Sequence, residues 1–171
     1  MSPHIQTEGN RSLADLKRVV HSLSERIEMI ERSRWVDELG WGQIKTLASY
    51  MEPYEVEQGR TIMNEGAHGA HLILIVQGQV NIVKKNTDRI QKVIATLGPG
   101  RTFGEMALID GEPRSASAVA ATHVSLLVLT KDSFVRLTKK SPHLSQSLVM
   151  KIAKLMSQRL RQVSGILIDY L

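Results

Sequence analysis

Between Gly100 and Val119 the chain reads GRTFGEMALIDGEPRSASAV, a stretch that places a glycine, a carboxylate and an arginine where they could hold an anion. Phe103-Gly104-Glu105-Met106-Ala107-Leu108 reads as a strand end, a tight turn and one or two turns of helix. Glycine permits close backbone approach there, and a fresh helix start offers unpaired N–H groups. Asp110-Gly111-Glu112-Pro113 turns the chain again, so that Arg114-Ser115-Ala116 enters the next strand. An arginine holds two phosphate oxygens at once, in a way lysine does not. A carboxylate beside it suits a sugar hydroxyl. Taken singly, a Gly-Glu or a Pro-Arg pair would be an ordinary surface turn; combined, they outline a phosphate clamp.

The elements that must position this stretch are short strands punctuated by glycine. Tyr54-Val56 and Thr61-Met63 flank Gln58-Gly59, and Asn64-Glu65-Gly66 leads to His71–Val76, an apolar run suited to a strand buried on both faces. Val80, Ile82 and Lys84 alternate, Asn86-Thr87-Asp88 forms a hairpin loop, and Ile90–Leu97 returns. Ala116–Ala121 and Val124–Leu129 complete the set. About eight such strands predict an antiparallel sandwich or barrel, and with the helices on either side an α+β fold.

Phe103-Gly104-Glu105-Met106-Ala107-Leu108 followed by Pro113-Arg114-Ser115-Ala116 resembles the phosphate-binding cassette of cyclic nucleotide-binding domains. That family includes the bacterial catabolite activator protein, kinase regulatory subunits and cyclic-nucleotide-gated channels. The placement of Gly59, Gly66, Gly78, Gly100 and Gly104 also resembles the family's jelly-roll-like β-roll. The resemblance runs approximately from Trp35 to Leu160 and leaves out the first thirty residues. It implies that Arg114 clamps the cyclic phosphate, that Glu105 accepts the ribose 2′-hydroxyl, and that amides around Ala107, Ser115 and Ala116 add donors. Phe103, Gly104 and Met106 complete the implied site. In the family, Thr after the arginine accompanies cGMP preference, and Ser occurs in bacterial cAMP receptors. Ser115 therefore favours cAMP over cGMP. Ala118 departs from the larger β-branched residue common at its position, which loosens the apolar floor under the purine.

Residues 1–10 read as a mobile tail. From 11 to 32, Leu13, Leu16, Val20, Leu23, Ile27 and Ile30 recur at alternating spacings of three and four, with Ser12 as N-cap, which predicts one amphipathic helix. Such a stripe either lies on its own domain or pairs as a coiled coil. Ser33 is placed to cap a second helix, Arg34–Leu39, and Gln43–Tyr50 reads as a third, with Trp35 and Trp41 in the core. Residues 33–171 are read as the nucleotide-binding domain, closing with lid helices over 132–171. The last begins at Pro142 and carries two apolar stripes, Leu144, Leu148, Leu155 and Val149, Ile152, Met156, Val163, Ile166, Tyr170. Two stripes suit two packing partners. Arg159 falls between Met156 and Val163, where its guanidinium either stacks on a purine or stays solvated.

Composition narrows the classes. The chain has 171 residues, 42% of them hydrophobic, and a net charge of +5, which suits an anionic ligand. It has no cysteine, so disulfides and thiolate metal sites are excluded, and its polar start lacks a secretory h-region. His68 and His71 beside Glu65 lack the further ligands a metal needs, so no metal is expected. Ser115, Ser117 and His123 form no evident nucleophile–base pair, and no Walker lysine is present. The expectation is a cytoplasmic, non-enzymatic sensor of cAMP or cGMP. It would signal to a second subunit, as a homodimer, or to a protein effector, through helix 13–30 and the C-terminal helix. Neither a membrane nor, with so little chain after the lid helix, a nucleic acid is expected as a partner. The alternative is an interaction or coiled-coil protein, or a fragment of a transcription regulator, in which the pocket is secondary.

Overall fold

Strand and helix boundaries follow the glycine punctuation closely. The structure, a computed structural model, describes residues 13–168. Its strands are β1 (Lys17–Arg18), β2 (Glu52–Val56), β3 (Thr61–Met63), β4 (His71–Gln77), β5 (Val80–Lys85), β6 (Gln91–Leu97), β7 (Thr102–Phe103), β8 (Ser117–Ala120) and β9 (Val124–Thr130). The helices are α1 (Leu23–Ser33), α2 (Trp41–Tyr50), α3 (Glu105–Asp110), α4 (Lys131–Lys140) and α5 (Pro142–Ile168). The strands form two antiparallel sheets, in the orders β1-β2-β9-β4-β7 and β3-β8-β5-β6.

Alternate residues of the strands build one core. Tyr54 and Val56 of β2, Ile73 and Ile75 of β4, Leu126 and Val128 of β9 and Phe103 of β7 cluster with Ile62, Val80, Ala118 and Ala120 of the second sheet. Each residue of β4 from Leu72 to Ile75 is fully buried, so the strand is covered on both faces. Helix α1 lies against its outer side.

The N-terminal helix differs from the heptad expectation over 11–32. A 3-10 turn spans Leu13–Asp15, β1 pairs Lys17 and Arg18 with Glu55 and Tyr54, and only Leu23–Ser33 is helical. Leu13 and Leu16 pack on the sheet core, and Val20 is fully exposed. The cause is local. The Ser22 hydroxyl accepts from Glu25 N at 3.2 Å while Ser22 N donates to Glu25 Oε2 at 2.6 Å, a capping box that starts the helix there. The stripe over 13–30 is therefore not one continuous helix. Residues 1–10 and Ser12 lie outside the described residues.

The expected helix Arg34–Leu39 is a series of turns. Ser33 does not cap it: its hydroxyl donates to Ile30 O and accepts from Trp35 N, and Arg34 closes α1 in the left-handed region at φ 54°. Trp35 is buried as expected, but Trp41 is 61% exposed at the start of α2, with Lys45 Nζ 5.3 Å from its ring centre.

The chain divides into two compact units, Met1–Lys131 and Asp132–Leu171. Within the second, Pro142 begins α5, and Leu144, Leu148 and Ile152 are buried at spacing four. Val149 and Val163 of the second stripe are exposed, and Tyr170 and the Ile166 side chain lie outside the described residues.

Candidate functional site

The site begins where β7 leaves the sheet. Phe103 pairs with Ile73 and buries its ring in the core, so it anchors the strand. Gly104 then reverses the chain at φ 78°, and α3 starts at Glu105. A Cβ on Gly104 would stand 2.8 Å from His71 O and 2.9 Å from Arg114 Nη1. Only glycine fits that approach, because both the left-handed backbone and the contact exclude a side chain. Helix α3 ends at Gly111, whose N–H donates to Ala107 O, and Glu112 N donates to Asp110 Oδ1 at 2.9 Å.

Arg114 returns to this turn and is fastened from both sides. Its own N–H donates to Ala67 O at 2.9 Å, and its carbonyl accepts from Gly66 N at 2.8 Å. The guanidinium Nη1 donates to Gly104 O at 2.8 Å and to His71 O at 3.3 Å. Arg114 is 4% exposed and Glu105 1%. Nη2 of Arg114 is buried with no hydrogen-bond partner among the described residues. Burial lowers the pKa of the guanidinium, and the nearby Glu105 carboxylate acts against that shift; an arginine stays protonated regardless. A buried cation with one fork arm satisfied by carbonyls and the other unsatisfied is a donor prepared for an anion, since an unmet buried donor is costly.

The structure thus joins Arg114 to Gly104 and sets Glu105 near it, while Ala107 and Ala116 are almost fully covered. Met106 and Ser115 are exposed, with Ser115 Oγ 3.7 Å from Met106 Sδ. Ala118 is fully buried between the sheets as part of the core. Arg159 stands half-buried on α5 in the second unit. Among the described residues no group of three or more His, Cys, Asp or Glu could hold a metal ion. Ser117 Oγ accepts from Glu65 N at 2.9 Å, and His123 Nε2 lies 3.3 Å from Glu55 Oε2.

The link between His71 and Arg114 carries no sequence signal, because it joins residues 43 apart in the chain. The His71 imidazole and Arg114 Nη2 stand 3.2 Å (from Cε1) and 3.7 Å from the point a Cβ on Gly69 would occupy. Burial first, and the Arg114 charge second, lower the His71 pKa to about 3. In the unfolded chain the ring protonates near 6.5. Between these values the unfolded state binds a proton that the native state does not, so stability falls as pH drops from about 6.5 towards 3. Urea unfolding midpoints across that window are expected to fall less steeply for His71→Gln than for the natural chain; parallel curves would contradict the assignment.

The family model for the cyclic nucleotide-binding domain matches residues 53–141. A crystal structure of a cyclic nucleotide-binding domain from Methylobacillus flagellatus superposes with a TM-score of 0.78 at 30% identity, covering 87% of this chain and 85% of that one. The cyclic AMP receptor protein of Thermus thermophilus is 33% identical over 120 residues, 70% of this chain and 54% of the receptor. A cyclic nucleotide-gated potassium channel of Mesorhizobium japonicum is 42% identical over 91 residues, 53% of this chain and 24% of the channel. The chain therefore spans about half the length of the receptor and about a quarter of the channel. Among the described residues no helix is long and apolar enough to cross a membrane.

Proposed function

Since the chain belongs to the cyclic nucleotide-binding domain family, we propose that it is a non-enzymatic cytoplasmic sensor that binds cAMP in preference to cGMP and signals through α5 to a partner protein or second subunit. The observation that carries this reading is the buried, unsatisfied Nη2 of Arg114. In the proposed complex Arg114 turns that donor to the cyclic phosphate, whose negative charge offsets the burial of the guanidinium. Amides of Ala107, Ser115 and Ala116 add donors to the same oxygens; with α3 only six residues long, these act as individual N–H groups. Glu105 accepts the ribose 2′-hydroxyl. Ser115 is exposed beside Met106, and its place directly after the arginine, where the resemblance puts Ser in bacterial cAMP receptors, supports cAMP over cGMP. Arg159 is the proposed cover for the purine, stacking its guanidinium on the base.

The name of the Thermus thermophilus relative, a cyclic AMP receptor, supports the choice of nucleotide. Signalling through α5 is supported by Val149 and Val163 of its second apolar stripe, which are exposed, although Ile152 of that stripe is buried. A ligand can shift such a helix only by binding its two positions with different affinity.

The Glu105 role has a direct test. Removing the 2′-hydroxyl takes one proposed donor from the buried Glu105 carboxylate, so 2′-deoxy-cAMP is expected to bind the natural chain about 10–100-fold more weakly than cAMP, from a loss of roughly 1.5–3 kcal/mol. In Glu105→Ala the two nucleotides should bind alike. Titration calorimetry of the four combinations measures this, and an undiminished preference in the variant would remove Glu105 from the ribose.

A further inference from the structure

The hairpin formed by β5 and β6 is a second surface, separate from the cassette. β6 is an outer strand of the four-stranded sheet, and among the described residues it pairs with β5 alone. Natural edges are usually blunted by shortness, charge or a bulge. β6 has a bulge opposite Ile82 and Val83 and one lysine, Lys92. Even so it runs from Gln91 to Leu97 and, with the residue before it, leaves Ile90, Val93 and Ile94 58%, 57% and 59% exposed. Three large apolar side chains on one open edge are not an ordinary solvent surface.

Charge gives the edge a sign. Lys84, Lys85, Arg89 and Lys92 are all exposed, and none is ion-paired among the described residues. The acids nearby are Asp88 at the tip and Glu65 at the base, whose Oε2 accepts from Lys85 N at 3.1 Å. The hairpin is also preformed. Asn86 N donates to Ile90 O at 3.0 Å, Arg89 N to Asn86 O at 2.9 Å and Ile90 N to Asn86 Oδ1 at 2.8 Å, with Arg89 at φ 61°. A turn closed three ways keeps β6 extended and ready to pair.

We propose that the open edge of β6 docks an acidic extended segment of a partner protein, which joins the sheet as its next strand. Main-chain hydrogen bonds would hold the segment, Val93 and Ile94 would pack its apolar residues, and the four cations would select its acids. A second copy of this chain fits poorly, since it would set these cations against their own kind. A lipid surface would leave the strand's outward N–H and C=O groups unpaired by backbone.

The probe is a fluorescein-labelled octapeptide of alternating Glu and Val, titrated with the full chain and followed by fluorescence anisotropy. Saturable binding is expected, weakened by added salt and by about tenfold or more in Lys84→Glu/Lys92→Glu. The same peptide N-methylated at alternate residues keeps its side chains but loses strand donors, and should not bind. This arm uses the natural chain, so it stands whatever the variant does to folding. No saturable binding, equal binding of the N-methylated peptide, or equal binding of a Lys–Val octapeptide would overturn the proposal. So would sedimentation of the chain with phosphatidylserine vesicles while the octapeptide fails to bind. Nucleotide affinity enters none of these readouts, so failure here leaves the cassette untouched.

Discussion

Replacing Arg114 by alanine is expected to weaken cyclic nucleotide binding by roughly 3–5 kcal/mol, by analogy with one-sided removal of a buried ion pair. That is a loss of about a hundredfold to several thousandfold in affinity. The size follows from burial: with Arg114 4% exposed, water has little access to replace the guanidinium against a phosphate. Alanine also removes the Nη1 bonds to Gly104 O and His71 O, so part of the loss comes from a loosened turn. Arg114→Lys separates the two contributions. It restores a cation but not the fork that reaches carbonyl and phosphate together, and should recover less than half of the lost binding energy. Calorimetric titration with cAMP, alongside thermal melting, reads both variants. Wild-type affinity in Arg114→Ala would remove the residue from the site.

Gly104→Ala is expected to have the next largest effect, on both stability and binding. The added Cβ meets a backbone carbonyl, His71 O at 2.8 Å, and the anchored Nη1 of Arg114 at 2.9 Å. Neither can yield without moving β4 or the guanidinium. Left-handed strain contributes about 1–2 kcal/mol and overpacking about 1–3 kcal/mol more. A fall in melting temperature of roughly 5–15 °C should follow. Gly111→Ala is the internal control. It shares the left-handed backbone, at φ 74°, but its Cβ would meet nothing within 4 Å. It should show the strain without the clash and keep nucleotide affinity. If the two variants melt and bind alike, the close approach at Gly104 is not what fixes the cassette.

The contrast between these glycines also marks what could be read from the chain. The turn, the short helix and the strand expected over Ala116–Ala121, which forms at Ser117–Ala120, were legible because local chemistry governs them: glycine where φ is positive, and alternation where one face is buried. The packing at Gly104 was not, since His71 O approaches from a distant strand. The same reason hid Arg114's attachment to Gly66 and Ala67, which belong to the turn before β4. At the N-terminus two local signals competed. The heptad spacing from Leu13 to Ile30 is continuous, but Ser22 and Glu25 form a capping box that begins the helix inside it. The backbone pairing of Lys17 and Arg18 with β2 then turns Leu13 and Leu16 onto the sheet. Side-chain periodicity carries no information about such backbone pairing. Trp41 stands outside the core expected for it, because its place at the first turn of α2 leaves the ring beside Lys45 in solvent.

The central claim, that the α3 turn and Arg114 form a cyclic nucleotide site, is tested most directly by titrating the natural chain with cAMP and with cGMP in a calorimeter. The expected result is saturable binding at one site per chain, tighter for cAMP. Absence of measurable binding of either nucleotide at millimolar concentration would contradict it.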